Sequence, residues 1–106
     1  MTESYEPADA ARRLNAGELA LVDVRDQDEW EQGHVKGALH VPVEDLQTRA
    51  GDLPGDGPLA FICRTGKRSQ MAADASARSG RKAGNVSGGM EAWAQAGLPL
   101  QRGDAA

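Results

Sequence analysis

The chain has 106 residues, 40 per cent of them hydrophobic and 26 per cent charged, with a net charge of −4 and one cysteine. That length supports a single domain with one core, burying roughly two-thirds of the unfolded surface. One cysteine excludes an internal disulfide and a multi-cysteine metal site, and an acidic total argues against general nucleic-acid binding. The charge is unevenly spread. Residues 1–62 hold five Lys/Arg against thirteen Asp/Glu, whereas residues 63–106 hold seven against three. An acidic body with a basic mouth fits a site that draws in a small anion.

Pro7 to Ala16 reads as a helix: proline is tolerated in the first turn, and Ala8, Ala11 and Leu14 recur at helical spacing. Leu19 to Val24 is apolar enough for a buried strand and runs into Asp23-Val24-Arg25. Asp26 and Asp28 can cap a short helix ending at Gln32, and Ala38 to Val41 is a second short strand punctuated by Pro42. Val43 to Ala50 is expected to be helical on a Val43, Leu46, Ala50 stripe. Residues 52–58, with two prolines and two glycines, form a loop.

Leu59 to Ile62 is a buried parallel strand, and Ser69 to Arg78 a helix with Met71, Ala72 and Ala75 on one face. Any strand over Ala83 to Val86 is weakened by Gly84, and this corner is expected to pack loosely. Met90 to Gln95 is a final helix, and residues 101–106 are expected to fray. Strands alternating with helices imply an α/β fold with a mostly parallel sheet of four to five strands, covered on both faces and joined by right-handed crossovers.

The chemistry concentrates in Cys63-Arg64-Thr65-Gly66-Lys67-Arg68-Ser69. A cysteine between the carboxyl end of a strand and a helix N-terminus lies where open α/β sheets bind ligands. Loop amides and the helix dipole favour an anion there, and Arg64, Lys67 and Arg68 add three formal charges. Cys63 is therefore expected to be a thiolate near neutral pH, below the free value of about 8.5. Asp23 and Arg25 close the neighbouring strand and could form an ion pair tying strand to loop, in company with Glu29, or line the mouth of the site. His34 sits in a turn between Gly33 and Val35 and invites a general-base reading, His40 has no assigned role, and Trp30 and Trp93 read as core. Gly88 and Gly89 either open the last helix or bring backbone close to the reactive loop. The two histidines and the cysteine lack zinc-ligand spacing, and no Gly-x4-Gly-Lys-Ser/Thr phosphate loop is present.

The Cys-Arg-Thr-Gly-Lys-Arg-Ser run resembles the active-site loop of single-domain rhodanese-like sulfurtransferases. Other stretches agree in order: Leu21-Val22-Asp23-Val24-Arg25 with Glu29 and Trp30, Gly33-His34-Val35-Lys36-Gly37-Ala38, Val41-Pro42, Gly88-Gly89-Met90-Glu91-Ala92-Trp93 and Gly97-Leu98-Pro99. The resemblance covers residues 5–100 of one rhodanese-like domain spanning 1–106. Arg81 and Ser76 depart from it, standing where the family usually has larger apolar side chains.

The resemblance implies a sulfurtransferase without metal or organic cofactor. Cys63 would take sulfane sulfur from an anionic donor such as thiosulfate and pass it, as a persulfide, to a thiophilic acceptor. That acceptor would be cyanide, a thiol, or a thioredoxin-like or other sulfur-accepting protein. Arg64, Thr65, Gly66, Lys67 and Arg68 would bind the donor, with Asp23, Arg25 and Ser69 in support; Arg68 could instead brace the loop. Nucleic acid and membrane are not expected partners. Two rivals stand beside this reading. One is a persulfide relay or interaction module between proteins. The other is a phosphatase- or arsenate-reductase-like enzyme, whose loop resembles Cys-x5-Arg; here Cys63 and Arg68 enclose four residues. A lone nucleophilic thiol suits a reducing compartment. Met1 to Glu6 is acidic with no apolar run, so no signal peptide is expected and the cytoplasm is the expected location.

Overall fold

The computed structural model describes residues 2–103. Eleven elements follow in chain order, and five of them are strands in one sheet. They begin with β1 (Glu3–Tyr5), α1 (Pro7–Asn15), β2 (Ala20–Asp23), α2 (Gln27–Gln32) and β3 (Leu39–His40). Two 3-10 turns come next, Val43–Asp45 and Ala50–Asp52. The chain continues with β4 (Leu59–Ile62), α3 (Lys67–Arg78), β5 (Ala83–Val86) and α4 (Gly89–Gln95). The strand order is β1-β5-β4-β2-β3 and every pairing is parallel. All carboxyl ends therefore share one edge, and β4 lies at its centre between β2 and β5.

Period-two alternation divides the core. Leu59, Phe61 and Cys63 pack with Val22, Val24, Val41, Ala72 and Ala73 on the α3 face. Ala60 and Ile62 point the other way, into Leu21, Trp30, Met90 and Trp93, where α1, α2 and α4 lie. All four residues of β4 are completely buried, as expected for a central parallel strand covered on both faces.

Four expectations are corrected. Glu3–Tyr5 forms an unforeseen edge strand on β5; three residues are too few to show a period. Val43 to Ala50 is not an α-helix but passes through two short 3-10 turns. Val43 and Leu46 are only partly buried and Ala50 is exposed, so tertiary contact does not enforce a longer helix. The corner around β5 is well packed: all four of its residues are buried, and Gly84 lies where Tyr5 and the Glu3 carbonyl leave no room for a Cβ. A residue that weakens an isolated strand thus permits close packing here. Finally, the tail is held as far as Gly103. Gln101 exchanges both backbone hydrogen bonds with His34 at 2.8 Å, and the Gly103 amide donates to the Glu31 carbonyl. Residues 104–106 of the expected frayed tail lie outside the described residues.

Candidate active site

The last residue of β4 delivers the chain to Cys63 at the sheet's carboxyl edge. Gly66, at φ +110°, makes the reversal, a left-handed conformation that glycine adopts without a Cβ penalty. The next residue starts α3, two positions earlier than the apolar pattern indicated. Lys67 and Arg68 therefore lie in the helix's first turn rather than in the preceding loop.

The turn wraps around sulfur. The amide of Gly66 donates to Cys63 Sγ at 3.1 Å and that of Ser69 at 3.4 Å, while Ser69 Oγ lies 3.2 Å away. Cys63 is only 1% exposed. Burial alone pushes its thiol up. The Ser69 hydroxyl and the amides of Ser69, Gly66 and Thr65 together outweigh that, leaving the thiol below its ordinary value. The geometry thus surrounds Sγ with a cradle built from backbone and one hydroxyl.

The formal charges are arranged differently from a simple basic cluster. Arg64 is exposed and turns to Glu91, its Nε 3.2 Å from Oε2. Arg68 grips Glu29 with two parallel bonds, Nη1 to Oε1 at 2.9 Å and Nη2 to Oε2 at 3.1 Å. Arg68 therefore braces α3 against α2. The Arg68 bond holds the Glu29 carboxyl below the usual carboxylate range, against an opposing push from burial. Glu29 also accepts from the Asp26 amide at 3.1 Å, closing the N-terminus of α2. Lys67 and Thr65 are exposed.

Asp23 and Arg25 form a buried ion pair with Nη2 2.8 Å from Oδ2; Arg25 also donates to the Gly33 carbonyl at 2.7 Å. This ties β2 to the turn after α2, the supporting arrangement anticipated for the pair, although Glu29 belongs to Arg68. A cleft of about 490 Å³ is lined by Arg25, Glu29, Gln32, Arg64, Met90 and Leu100. A larger groove, about 670 Å³, runs along the outer side of α3 past Leu46, Met71 and Arg78 and does not include the Cys63 loop.

The scaffold around Trp30 is aromatic. His34 stacks on its ring at 3.7 Å between centroids and His40 at 4.6 Å. His34 is fully buried with Nδ1 2.7 Å from the Trp30 carbonyl. His40 Nε2 donates to the Arg25 carbonyl at 2.7 Å, a link its alternating sequence position did not reveal.

Residues of α4 and β5 also touch the site. The backbone of α4 docks on the loop: Met90 N–H donates to the Cys63 carbonyl at 2.8 Å and Glu91 N–H to that of Arg64 at 3.1 Å. Gly89 makes this approach possible, because a Cβ there would lie 2.3 Å from the Cys63 carbonyl oxygen. Both readings open for the glycine pair are realised: Gly88 and Gly89 open α4, and Gly89 also brings backbone close to the reactive loop. Asn85 on β5 was missed. It is buried and bonded to Ser69, Gly66 and Gln70; a polar side chain within an otherwise small and apolar strand was the available signal.

Among the described residues, no group of three or more His, Cys, Asp or Glu is placed to hold a metal ion. No helix there is long and apolar enough to cross a membrane.

The profile of the Rhodanese-like domain family matches residues 6–96. A sulfurtransferase of Allochromatium vinosum is 31% identical over 102 residues, covering 94% of this chain and 95% of that protein. An HTH-type transcriptional regulator of Mycobacterium tuberculosis is 39% identical over 99 residues; the match takes in 91% of this chain but 43% of the regulator. Among solved structures, a rhodanese-related protein from Thermoplasma volcanium superposes with a TM-score of 0.86 at 26% identity, covering 93% of this chain and 97% of that one.

Proposed function

The chain belongs to the rhodanese-like domain family, and we propose that it acts as a sulfurtransferase that carries sulfur on Cys63. The observation that supports this most directly is the convergence of the Gly66 and Ser69 amides and the Ser69 hydroxyl on Cys63 Sγ. A thiolate held this way attacks the sulfane sulfur of an anionic donor such as thiosulfate. A sulfur–sulfur bond forms at Cys63, and the donor's own sulfur–sulfur bond breaks. The leaving group takes that electron pair and departs as sulfite, and Cys63 is left as a persulfide anion. In the second step a thiophilic acceptor, cyanide or a thiolate, attacks the outer sulfur and the Cys63 thiolate leaves. In this reading the amides from Arg64 to Arg68 stabilise the outer sulfur as a preorganised cradle, Arg64 and Lys67 offset donor charge, and Arg68 braces the loop. No metal or organic cofactor enters either step. A reducing compartment, the cytoplasm, suits the lone reactive thiol.

A phosphatase- or arsenate-reductase-like reaction fits less well. The interval from Cys63 to Arg68 is one residue short, and both terminal nitrogens of Arg68 are engaged by Glu29, leaving no free fork for a tetrahedral oxyanion. A relay reading of the same site stands beside the sulfurtransferase proposal. In that reading Cys63 exchanges sulfur with protein partners, a thioredoxin-like thiol among them, in place of small molecules.

Intact-mass spectrometry after exposure to thiosulfate tests the proposal. One added sulfur, removed by cyanide or a thiol and absent from Cys63→Ser, is expected. A wild-type protein that never gains sulfur from thiosulfate or from a protein persulfide overturns it.

A further inference from the structure

The Ser69 hydroxyl has two claimants. Its oxygen lies 3.2 Å from Cys63 Sγ and 2.5 Å from Asn85 Oδ1. The orientation of the Asn85 amide follows from its other neighbours. Its nitrogen faces the Gly66 carbonyl and Gln70 Oε1, both at 3.2 Å. The Gly66 carbonyl can only accept. Gln70 presents its oxygen because its own nitrogen donates to Thr2 Oγ1 and Asp74 Oδ1. Asn85 Oδ1 therefore faces Ser69 and carries no proton. Two oxygens 2.5 Å apart need a proton between them, and only the Ser69 hydroxyl can supply it.

A serine has one hydroxyl proton. With that proton on Asn85, Ser69 Oγ can accept an S–H bond from a neutral Cys63 but offers no donor to a thiolate. To serve the thiolate, the hydroxyl must rotate to sulfur and leave Asn85 Oδ1 unpaired in a buried place. Ser69 is fully buried and Asn85 is 7% exposed, so water is a poor substitute for either partner.

We propose that Asn85 is a positioning residue that competes with Cys63 for the Ser69 proton, favouring the sulfur-loaded state over the free thiolate. Once sulfur is attached, the charge moves from Sγ to the outer sulfur, and the Ser69 proton returns to Asn85. The loaded state satisfies both groups, whereas the free thiolate satisfies only one. No covalent bond changes; a single hydroxyl rotates. The other charged groups near the sulfur are Arg68 on α3, which interacts electrostatically with it and is bound to Glu29 of α2, and the buried Asp23–Arg25 pair on the strand beside β4. Arg64 and Lys67 reach into solvent, and β5 contributes no ionised side chain. None of these groups claims the Ser69 hydroxyl.

The preference for the loaded state rests on the sulfurtransferase reading, but the competition for the proton does not. The test is a pH titration of the unloaded thiol, followed by thiolate absorbance and by iodoacetamide alkylation rate, in wild type, Asn85→Leu, Ser69→Ala and the double variant. Asn85→Leu should lower the midpoint by about one pH unit, tenfold more thiolate at a given acid pH. Ser69→Ala should raise it, and Asn85→Leu should change nothing further in that background. Asn85→Ala takes its place if the leucine variant does not fold. A midpoint for the folded Asn85 variant at or above wild type overturns the inference, as does an equal shift with Ser69 absent. In the loading arm, at fixed thiosulfate and sulfite and at a pH where the unloaded cysteine is ionised, Asn85→Leu should hold about tenfold less persulfide relative to free thiolate. If no variant loads sulfur, the sulfurtransferase reading fails, while the titration still decides the role of Asn85.

Discussion

Replacing Gly89 with alanine should damage the reactive loop more than any strain within α4 can explain. Gly89 has φ +60°, and a Cβ built there meets the Cys63 carbonyl oxygen at 2.3 Å and the Arg64 carbonyl oxygen at 2.6 Å. Both contacts are with backbone, so no side-chain rotation relieves them. The left-handed conformation alone costs alanine about 1–2 kcal/mol. Moving α4 away also loosens the Met90 and Glu91 amide bonds to those carbonyls, each worth about 1 kcal/mol. The sum is about 3–4 kcal/mol. Gly97→Ala is the control: φ is +74° but nothing lies within 4 Å of its Cβ, so only the conformational cost of about 1–2 kcal/mol should appear. Urea unfolding of both variants measures the difference, and the alkylation rate of Cys63 reports whether the loop has moved. Gly89→Ala should lose at least twice the stability lost by Gly97→Ala, with altered Cys63 reactivity. Equal losses and unchanged Cys63 reactivity would refute the claim that close approach of α4 shapes the cradle.

Cys63→Ser should abolish sulfur loading and leave the circular dichroism spectrum intact, since the side chain is similar in size and the chain has no other thiol; residual turnover of thiosulfate and cyanide would exclude the persulfide route. Replacing Arg64 and Lys67 together with alanine should raise the apparent KM for thiosulfate and leave kcat nearly unchanged, the signature of lost uniform binding, and added salt should narrow the difference; a fall in kcat at constant KM would place these side chains in the chemical step. Inserting one residue between Gly66 and Arg68 should weaken sulfur transfer and tighten phosphate or arsenate binding, read by anion titration, and tighter phosphate binding by wild type contradicts the loop-length argument. Arg68 depresses the Glu29 carboxyl in the folded state, so this pair's stabilisation is fully present above the unfolded value of about 4.3 and is lost as pH falls through the lower folded value. Glu29→Gln should therefore unfold more readily than wild type at neutral pH, with the gap closing in acid; a gap that does not change with pH counts against the ion pair.

The site was most legible in sequence where one residue's chemistry sufficed. The apolar run Leu59 to Ile62 ending at a basic, glycine-containing turn placed Cys63 at the carboxyl edge of β4, where the structure has it, because strand burial and loop composition are both local properties. The partners of the charged residues were not legible. Nothing local pairs Arg68 with Glu29, 39 positions earlier, or Arg64 with Glu91; these contacts exist because parallel pairing brings strand ends to one edge. β5 was underestimated for a related reason. Strand propensity penalises Gly84, but its neighbour Tyr5 comes from the opposite end of the chain and fills the space that a side chain would have occupied.

The same long-range pairings change which forces hold an anion at the site. Formal charge suggested a basic cluster of three. Two of its members, Arg64 and Arg68, are in ion pairs, and so is the neighbouring Arg25. Lys67 is exposed and stands in no ion pair among the described residues. A paired guanidinium presents a dipole to its surroundings, and a dipole's field decays faster than that of a free charge. What faces Sγ at hydrogen-bond range is neutral: two amides and a hydroxyl, at the N-terminus of a 12-residue helix. These groups are oriented before any ligand arrives and are buried, so mobile ions screen them little. On the proposed sulfurtransferase reading, holding the sulfur anion would be work for the backbone, and Lys67 and the exposed Arg64 would influence the arrival of the donor. On that reading the two kinds of variant should separate: changes at Gly66, Ser69, Asn85 or Gly89 should act on the state of the thiol, and changes at Arg64 or Lys67 on encounter with the anion.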